Sequence, residues 1–259
     1  MSAPDPQTIR RLLEADRVWS AYALADLEPE EAGRSLWAVD GAAVALLYRG
    51  LDPPVLFLAG DPPGCARAAS ALPPGAVQFT LQPAARAALG DHLIERTAVP
   101  TWRMGLAPDA FRPVPHAQVE RLDAGDLPAL QALFGEHADR PDAFHPRQLE
   151  AGFFYGVRQG SRLVCTAGTH IVALRPGVAA VGNVFTAPDF RGRGLATAAT
   201  AATVEALLAA GVRTLVLNVA QRNTPAIRCY RRLGFERHCA YSEGFGSLRE
   251  FARPGGGGA

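Results

Sequence analysis

The sequence predicts an α/β protein of two domains, and three observations lead to that prediction. The chain has 259 residues, of which 48% are hydrophobic, so it is long enough to build more than one core. Segments with helical spacing of apolar residues alternate with short apolar runs typical of strands. The proline-rich stretch PDAFRPVPHA at 108–117 interrupts this alternation, because neither a helix nor a central strand can continue through it.

The N-terminal half has its own pattern of elements. Apolar residues such as Ile9, Leu12 and Leu13 keep helical spacing over residues 6–27, which predicts one helix there. All three tryptophans fall in this half, so we expect it to have a core of its own. The further predicted elements are strands at 36–39, 42–48 and 55–59, helices at 63–71 and 83–90, and extended segments at 76–80 and 101–107.

The prolines set the expected domain boundaries. We expect an N-terminal α/β domain over residues 1–112, a linker at 113–116, a second domain at 117–250 and a flexible glycine-rich tail at 251–259.

The second domain reads as strand, helix, three strands, and then two more helices around a strand. The run at 213–219 is apolar at almost every position, which is typical of a strand buried on both faces. A helical crossover before it predicts that it lies parallel to the strand at 178–187. The predicted elements are strands at 117–122, 153–159, 162–174, 178–187 and 213–219, and helices at 126–137, 192–210 and 224–233.

The segment VGNVFTAPDFRGRGLATAAT, 181–200, joins a strand to a helix through a glycine-rich loop. Gly192 and Gly194 allow close approach of a ligand to the backbone, and the first N–H groups of the helix have no partner within it. With the helix dipole they form an anion site suited to a pyrophosphate, although a plain helix start has the same local sequence. The Walker motif needs a lysine and the chain has none, and the pattern G-x-G-x-x-G fails at Thr197.

Two motifs in the right order carry a family resemblance. Residues 181–197, with R-x-x-G-x-A after V-F-T-x-P, resemble the acyl-CoA-binding motif of the GNAT superfamily of N-acetyltransferases. The segment NTPAIRCYRRLGF, 223–235, is similar to the next motif of that family. The resemblance covers about residues 117–245 and implies a mixed sheet flanked by helices.

The resemblance also implies a cofactor, acetyl-CoA or another acyl-CoA, and its site. In the family the fourth strand bends away from the fifth, and the pantetheine arm lies in the gap. Backbone groups matching Val184, Phe185 and Thr186 pair with the arm, and the side chain matching Asn223 contacts the cofactor, although Asn223 is also placed to cap a helix. The backbone N–H groups that hold the pyrophosphate match Arg191, Gly192, Arg193, Gly194, Leu195, Ala196 and Thr197.

Tyr230 matches the usual acid of the family. Amine attack on a thioester expels a thiolate that must be protonated, and a tyrosine holds its proton at pH 7. The alternative for Tyr230 is a core residue beside Leu233 and Phe235.

The general base is where the sequence departs from the family pattern. The matching strand positions are Ala180 and Gly182, and neither takes a proton. The expected hairpin register places His170 opposite Asn183, so His170 is our candidate base, with a structural histidine as the alternative. Glu136, His137 and Glu243 are weaker candidates, and a chain of water molecules is a further alternative.

The N-terminal half has no R-x-x-G-x-A loop. Its rhythm of helices and strands is similar to a degenerate copy of the same fold, as in tandem proteins resembling glycine N-acyltransferase; the alternative is an unrelated α/β domain.

The expected activity is transfer of an acetyl or short acyl group to a primary amine on a small molecule or peptide. The alternatives are a non-catalytic acyl-CoA-binding regulatory module and an acyltransferase for longer chains.

The four cysteines and six histidines show no metal-ligand spacing, and no basic run points to nucleic acid. No apolar run of membrane-spanning length and no secretory signal appear, so we expect a cytoplasmic monomer or homodimer.

Overall fold

A computed structural model describes residues 4–135, 137, 140–141 and 143–250 of the chain. The chain forms two compact units: Met1–Trp102 with Cys239–Ala259, and Arg103–His238. This division differs from the expected one, because the linker predicted at 113–116 lies inside the second unit. The tail predicted at 251–259 lies outside the described residues.

The described elements confirm the α/β class. The helices are α1 Pro6–Glu14, α2 Ala21–Asp26, α3 Pro62–Ala69, α4 Pro83–Leu89, α5 Leu127–Phe134, α6 Leu195–Ala209 and α7 Thr224–Arg232. The strands are β1 Ser35–Asp40, β2 Ala43–Tyr48, β3 Val55–Ala59, β4 Gly75–Leu81, β5 Leu93–Leu106, β6 Glu120–Leu122, β7 Phe154–Gln159, β8 Arg162–Ala173, β9 Val178–Thr186, β10 Thr214–Ala220 and β11 Glu236–Leu248.

The sheet of the first unit has the order β1-β2-β3-β4-β11-β5. Strand β11 pairs antiparallel with β4, from Ser242 opposite Leu81 to Leu248 opposite Gly75, which is why the C-terminal segment belongs to this unit. Strand β11 is not predicted by the sequence pattern, because glycines such as Gly244 and Gly246 are unfavourable in strands. Gly244 is required there: a Cβ at this position would lie 1.9 Å from the Thr97 carbonyl oxygen.

The helix predicted at 6–27 is two helices, α1 and α2, separated by a turn. The side chain of Asp16 accepts a hydrogen bond from the N–H of Trp19 at 2.9 Å, a local bond that competes with helix continuation. The Trp19 indole N–H donates to the Leu58 carbonyl at 2.9 Å. The turn therefore aims a buried tryptophan at β3, which helical spacing alone cannot reveal.

The second unit contains the strand order β10-β9-β8-β7-β6. Strands β9 and β10 are parallel, as predicted from the helical crossover. Helix α6 packs on one face of the sheet, where Ala199 joins the cluster of Val164, Cys165 and Ala167. Helix α5 packs on another cluster, which contains Phe134, Phe154 and Phe185.

Two predicted helices are shorter than expected because of left-handed glycines. Helix α5 ends before Gly135, with φ of 44°. Helix α6 begins only at Leu195, because Gly192 and Gly194 have φ of 75° and 77° and form a loop before it.

The segment Pro146–Ala151 forms a short 3₁₀ helix that is not among the elements predicted from the sequence.

Within the described ranges, no helix is both long and apolar enough to cross a membrane. The same residues contain no cluster of three or more His, Cys, Asp or Glu side chains that could hold a metal ion.

We predict that Gly234→Ala destabilises the fold more than Gly211→Ala. Both glycines follow a helix with positive φ, of 100° and 91°, so an alanine at either costs about 1–2 kcal/mol in backbone strain. At Gly234 a Cβ would also lie 2.0 Å from the Ala110 carbonyl oxygen, whereas at Gly211 nothing lies within 4 Å. The added cost at Gly234 should be about 1–3 kcal/mol. Equal melting temperatures of the two variants would contradict the close approach.

Candidate active site

Strands β9 and β10 separate part-way along their length. They pair from Val178 opposite Thr214 to Val181 opposite Leu217. Beyond these four pairs β9 runs on to Thr186 and β10 to Ala220, with no register between them in this described region. The backbone of the end of β9 is therefore available on that side, and an extended ligand can pair with it as an added strand would.

Two irregularities in the β8–β9 hairpin accompany this separation. Between the pairs Thr169–Val181 and Ile171–Ala180, β8 carries one extra residue, His170. Between Gly168–Gly182 and Thr166–Phe185, β9 carries an extra residue, and Asn183 there has φ of 53°. Such bulges bend a strand and redirect its side chains, and asparagine is among the few residues that tolerate this backbone.

The His170 ring lies against Gly182. A Cβ at Gly182 would be 2.2 Å from His170 Nε2, so the imidazole occupies the space where a side chain at 182 would begin. The expected register, with His170 opposite Asn183, is therefore wrong. His170 is the bulged residue of β8, and its ring reaches the neighbouring position on β9.

Gln148 connects both irregular positions. Its Oε1 accepts hydrogen bonds from the His145 N–H at 3.0 Å and from Asn183 Nδ2 at 2.9 Å. Its Nε2 donates to the carbonyls of Ala143 at 3.2 Å and His170 at 3.4 Å. Gln148 therefore ties the 3₁₀ helix to both strands. Gln148 is not among the residues predicted from the sequence, although the spacing of His145 and Gln148 is that of a capping box.

The loop after β9 ends in an uncapped helix start. No side chain caps α6, and the first bond within it runs from the Ala198 N–H to the Gly194 carbonyl at 3.1 Å. The N–H groups of Leu195, Ala196 and Thr197 thus have no helical acceptor. A Cβ at Gly192 or Gly194 would meet nothing within 4 Å, so the space beside the loop is open. Together with the helix dipole this arrangement favours an anion.

The two arginines of this loop are held near its ends. Arg191 Nε donates to the Thr186 carbonyl at 3.0 Å, and its guanidinium lies 5.6 Å from the Phe185 ring centre. Arg193 Nη2 donates to the Asp189 carbonyl at 2.9 Å. Their positive charge therefore stays beside the open helix start.

Helix α7 brings Tyr230 to the same region. Thr197 in the first turn of α6 contacts Cys229 through an Oγ1–Sγ distance of 3.3 Å, which joins the two helices. Tyr230 is 7% exposed, and burial raises the pKa of its hydroxyl above the ordinary value. Asn223 caps the helix, since its side chain accepts from the Ala226 N–H at 3.2 Å.

The three weaker candidates for the general base do not share the surroundings of His170. The His137 ring lies 5.6 Å from the Phe185 ring centre, and Glu136 lies outside the described residues. Glu243 is in the first unit and accepts hydrogen bonds from the hydroxyls of Tyr241 at 2.9 Å and Thr101 at 3.3 Å.

Aromatic rings fill the space beside Phe185, which is 5% exposed. Phe134 lies 6.0 Å from Phe185 between ring centres and 5.1 Å from Phe144, and Phe144 lies 6.0 Å from Phe154. This face of β9 is therefore packed.

In the first unit, helix α3 has a different kind of start. Asp61 caps it, with Oδ1 accepting from the Gly64 N–H at 2.8 Å. Pro62 and Pro63 follow and have no N–H groups to offer. A carboxylate of the chain itself already occupies this helix end, so a phosphate would meet like charge and few donors.

Comparison with known proteins identifies the second unit. Residues 120–235 match the model of the Acetyltransferase (GNAT) family. These residues form a GNAT acetyltransferase domain. The resemblance found in the sequence is thereby confirmed over the part of the chain that holds the loop, Tyr230 and the separated strands.

One curated relative and two solved structures are similar to this chain. A mycothiol acetyltransferase of Arthrobacter sp. (strain FB24) is 32% identical over 130 residues, which cover 43% of this chain and 38% of that protein. A GCN5-related N-acetyltransferase from Sphaerobacter thermophilus aligns with a TM-score of 0.61 at 20% identity, over 95% of both chains. A tandem GNAT protein from the clavulanic acid biosynthesis pathway aligns with a TM-score of 0.53 at 16% identity, over 98% of both chains. These structures show the likeness of fold.

We predict that Gly194→Glu abolishes acetyl-CoA binding, because the side chain adds negative charge at the helix start of the GNAT domain. Gly194→Gln is the matched control, since it imposes the same backbone strain and nearly the same size without the charge. Titration calorimetry should give one acetyl-CoA per parent chain, no binding for the Glu variant and weakened binding for the Gln variant. Equal affinities of parent and Glu variant would rule out this loop as the phosphate site.

Proposed function

We propose that the GNAT domain transfers an acetyl or other short acyl group from acyl-CoA to a primary amine by direct attack. The observation that carries the proposal is the separation of β9 from β10 beside an open, uncapped helix start. One ligand that combines an extended amide-bearing arm with a pyrophosphate fits both features.

In this proposal the arm pairs with the backbone of Val184, Phe185 and Thr186. The pyrophosphate binds the N–H groups from Gly192 to Thr197, with charge from the two loop arginines nearby. The Arg191 N–H, which the family resemblance also implied, donates instead to the Pro188 carbonyl at 3.2 Å. Asn223, besides capping α7, contacts the cofactor from the neighbouring helix.

The acyl group is proposed to be short. Phe185 is buried against Phe134, which in turn packs on Phe144, so the face of β9 beside Phe185 offers no room for a long chain. An acyltransferase for longer chains would need those rings to move.

Direct attack is favoured over an acyl-cysteine intermediate. Burial raises the pKa of the Cys165 thiol to about 12, and it also raises that of Cys229. Since the thiolate is the nucleophile, both cysteines near the site are poor candidates to receive an acyl group.

We propose His170 as the base and Tyr230 as the acid. The imidazole over Gly182 supplies a proton acceptor where β9 itself has none. The raised pKa of Tyr230 keeps its hydroxyl protonated at neutral pH, as protonation of a departing thiolate requires. Burial is the main cause of this raised pKa, and the neighbouring Cys229 adds to it.

We also propose that the first unit is a degenerate copy of the same fold. Two short helices, three strands, a helix, a strand, a helix and a strand follow in order from α1 to β5. Strands β3 and β4 are parallel across a helical crossover, as β9 and β10 are. The Asp61 cap of α3 accounts for the loss of a phosphate site in that copy.

The deciding experiment is an amine panel with detection of free thiol. The panel contains D-glucosamine, L-cysteine, L-lysine and a peptide with a free N-terminus. Amine-dependent release of CoA supports the transferase. A non-catalytic acyl-CoA-binding module would bind acetyl-CoA and release no thiol with any amine.

We predict that Tyr230→Phe lowers the single-turnover rate by about 10²–10⁴-fold, which is the usual contribution of a positioned acid. Acetyl-CoA affinity should stay nearly constant because the ring remains. The raised pKa also predicts that the parent shows no loss of rate from Tyr230 ionisation below about pH 10. Tyr155→Phe, a hydroxyl deletion on β7, is the control and should stay within about twofold. An unchanged rate for Tyr230→Phe would exclude the acid role.

We predict that His170→Gln lowers kcat/KM by about 10²–10⁴-fold and removes the acidic limb of its pH profile. A base works only when deprotonated, so the parent should lose activity as pH falls and the base becomes protonated. His137→Gln is the matched control and should keep both rate and profile. An acidic limb that survives in His170→Gln would assign the base to another group.

A further inference from the structure

Asn183 carries a buried carbonyl oxygen in a fixed orientation. The residue is 3% exposed, and its Nδ2 donates to Gln148 Oε1 at 2.9 Å and to the Thr169 carbonyl at 3.2 Å. A main-chain carbonyl only accepts hydrogen bonds, so the amide must turn its NH₂ group toward Thr169. Oδ1 then lies on the other side of the amide, where, within the described part of the chain, it accepts no hydrogen bond.

Gln148 holds this orientation in place. Its Oε1 accepts from the main-chain N–H of His145, and its Nε2 donates to the main-chain carbonyls of Ala143 and His170. Because these partners cannot exchange donor and acceptor roles, Gln148 always presents an oxygen to Asn183. Both hydrogen bonds of Asn183 Nδ2, to Gln148 and to Thr169, therefore require the same orientation of the Asn183 amide.

The backbone of Asn183 determines where this amide lies. In a regular strand, neighbouring residues face opposite sides of the sheet. The left-handed φ of 53° at Asn183 breaks that alternation. The amide contacts Gln148, which also bonds the carbonyl of His170, the residue whose ring covers Gly182. Asn183 Oδ1 thus belongs to the same part of the unit as the proposed base.

A buried hydrogen-bond acceptor such as Asn183 Oδ1 favours a ligand that supplies a hydrogen-bond donor. The thioester group has no N–H or O–H, whereas a primary amine has at least two N–H groups. A site with a buried polar atom rejects ligands that leave it unpaired and favours those that satisfy it. We infer that Asn183 Oδ1 accepts a hydrogen bond from the attacking amine and that Gln148 is the positioning residue that aims it. The inference rests on the proposed amine acetyltransfer.

The test is Asn183→Gly, which keeps the left-handed backbone and removes the amide. The probe is the amine of the panel that the parent turns over fastest. We expect kcat/KM for this amine to fall about 10- to 100-fold, mainly through KM. Acetyl-CoA affinity should stay within about twofold, and the acidic limb of the pH profile should remain, because His170 is untouched.

Two further variants distinguish a role of Gln148 in orienting the Asn183 amide from a role in the stability of the fold. Gln148→Ala should lower amine kcat/KM less, by about 3- to 10-fold, because Thr169 still holds the amide. Leu149→Ala deletes a buried side chain of the same 3₁₀ helix without removing a hydrogen bond. It should lower the melting temperature and leave the amine KM within about twofold.

The possible outcomes distinguish failure of this inference from failure of the proposed amine acetyltransfer on which it rests. A parent chain that turns over no amine overturns the proposed function and the inference together. A parent that is active, with Asn183→Gly unchanged in amine KM, overturns the inference alone. Weakened acetyl-CoA binding in Asn183→Gly with an unchanged amine KM would assign Oδ1 to the pantetheine arm and would also overturn it.

Discussion

Strand β9 leaves its parallel neighbour β10 after four paired residues, and the candidate site depends on this separation. The backbone from Val184 to Thr186 is freed on the side toward β10, and the glycine loop follows at the end of the same strand. The contact of Thr197 with Cys229 then sets α7 and Tyr230 beside the loop. If β9 stayed paired to its end, the sheet would be complete and no strand-like ligand could enter.

The bulges in β8 and β9 that accompany the separation cost conformational free energy, and the surrounding contacts offset that cost. A non-glycine residue with positive φ costs about 1–3 kcal/mol and persists where its surroundings fix it. Asn183 is fixed by Thr169 and Gln148, and Gln148 is fixed in turn by main-chain groups. Such buried polar networks are stable only when their members are satisfied, which is why one unsatisfied oxygen in this network points to a ligand.

The two units differ in chemistry at the turn between a strand and the helix that follows it, after β3 in the first unit and after β9 in the second. After β9 the chain has two left-handed glycines and an uncapped helix start, which leaves N–H groups for an anion. After β3 it has Asp61 and two prolines, which supply a carboxylate and remove donors. A side-chain cap and an anion site are alternative uses of a helix end, so Asp61 stabilises α3, whereas the start of α6 leaves its N–H groups open.

The sequence by itself determined the α/β class, the order of strands and helices from β7 to α7, the parallel crossover and the family motifs. These follow from local periodicity, glycine and proline positions, and short spacings. Only the tertiary structure decided that β11 returns to the first unit, that His170 covers Gly182, and that Gln148 orients Asn183. The first depends on long-range pairing of β11 with β4. The other two depend on the register of the β8–β9 hairpin, where one extra residue in β8 and one in β9 shift the later pairs, and no local pattern in either strand records that shift.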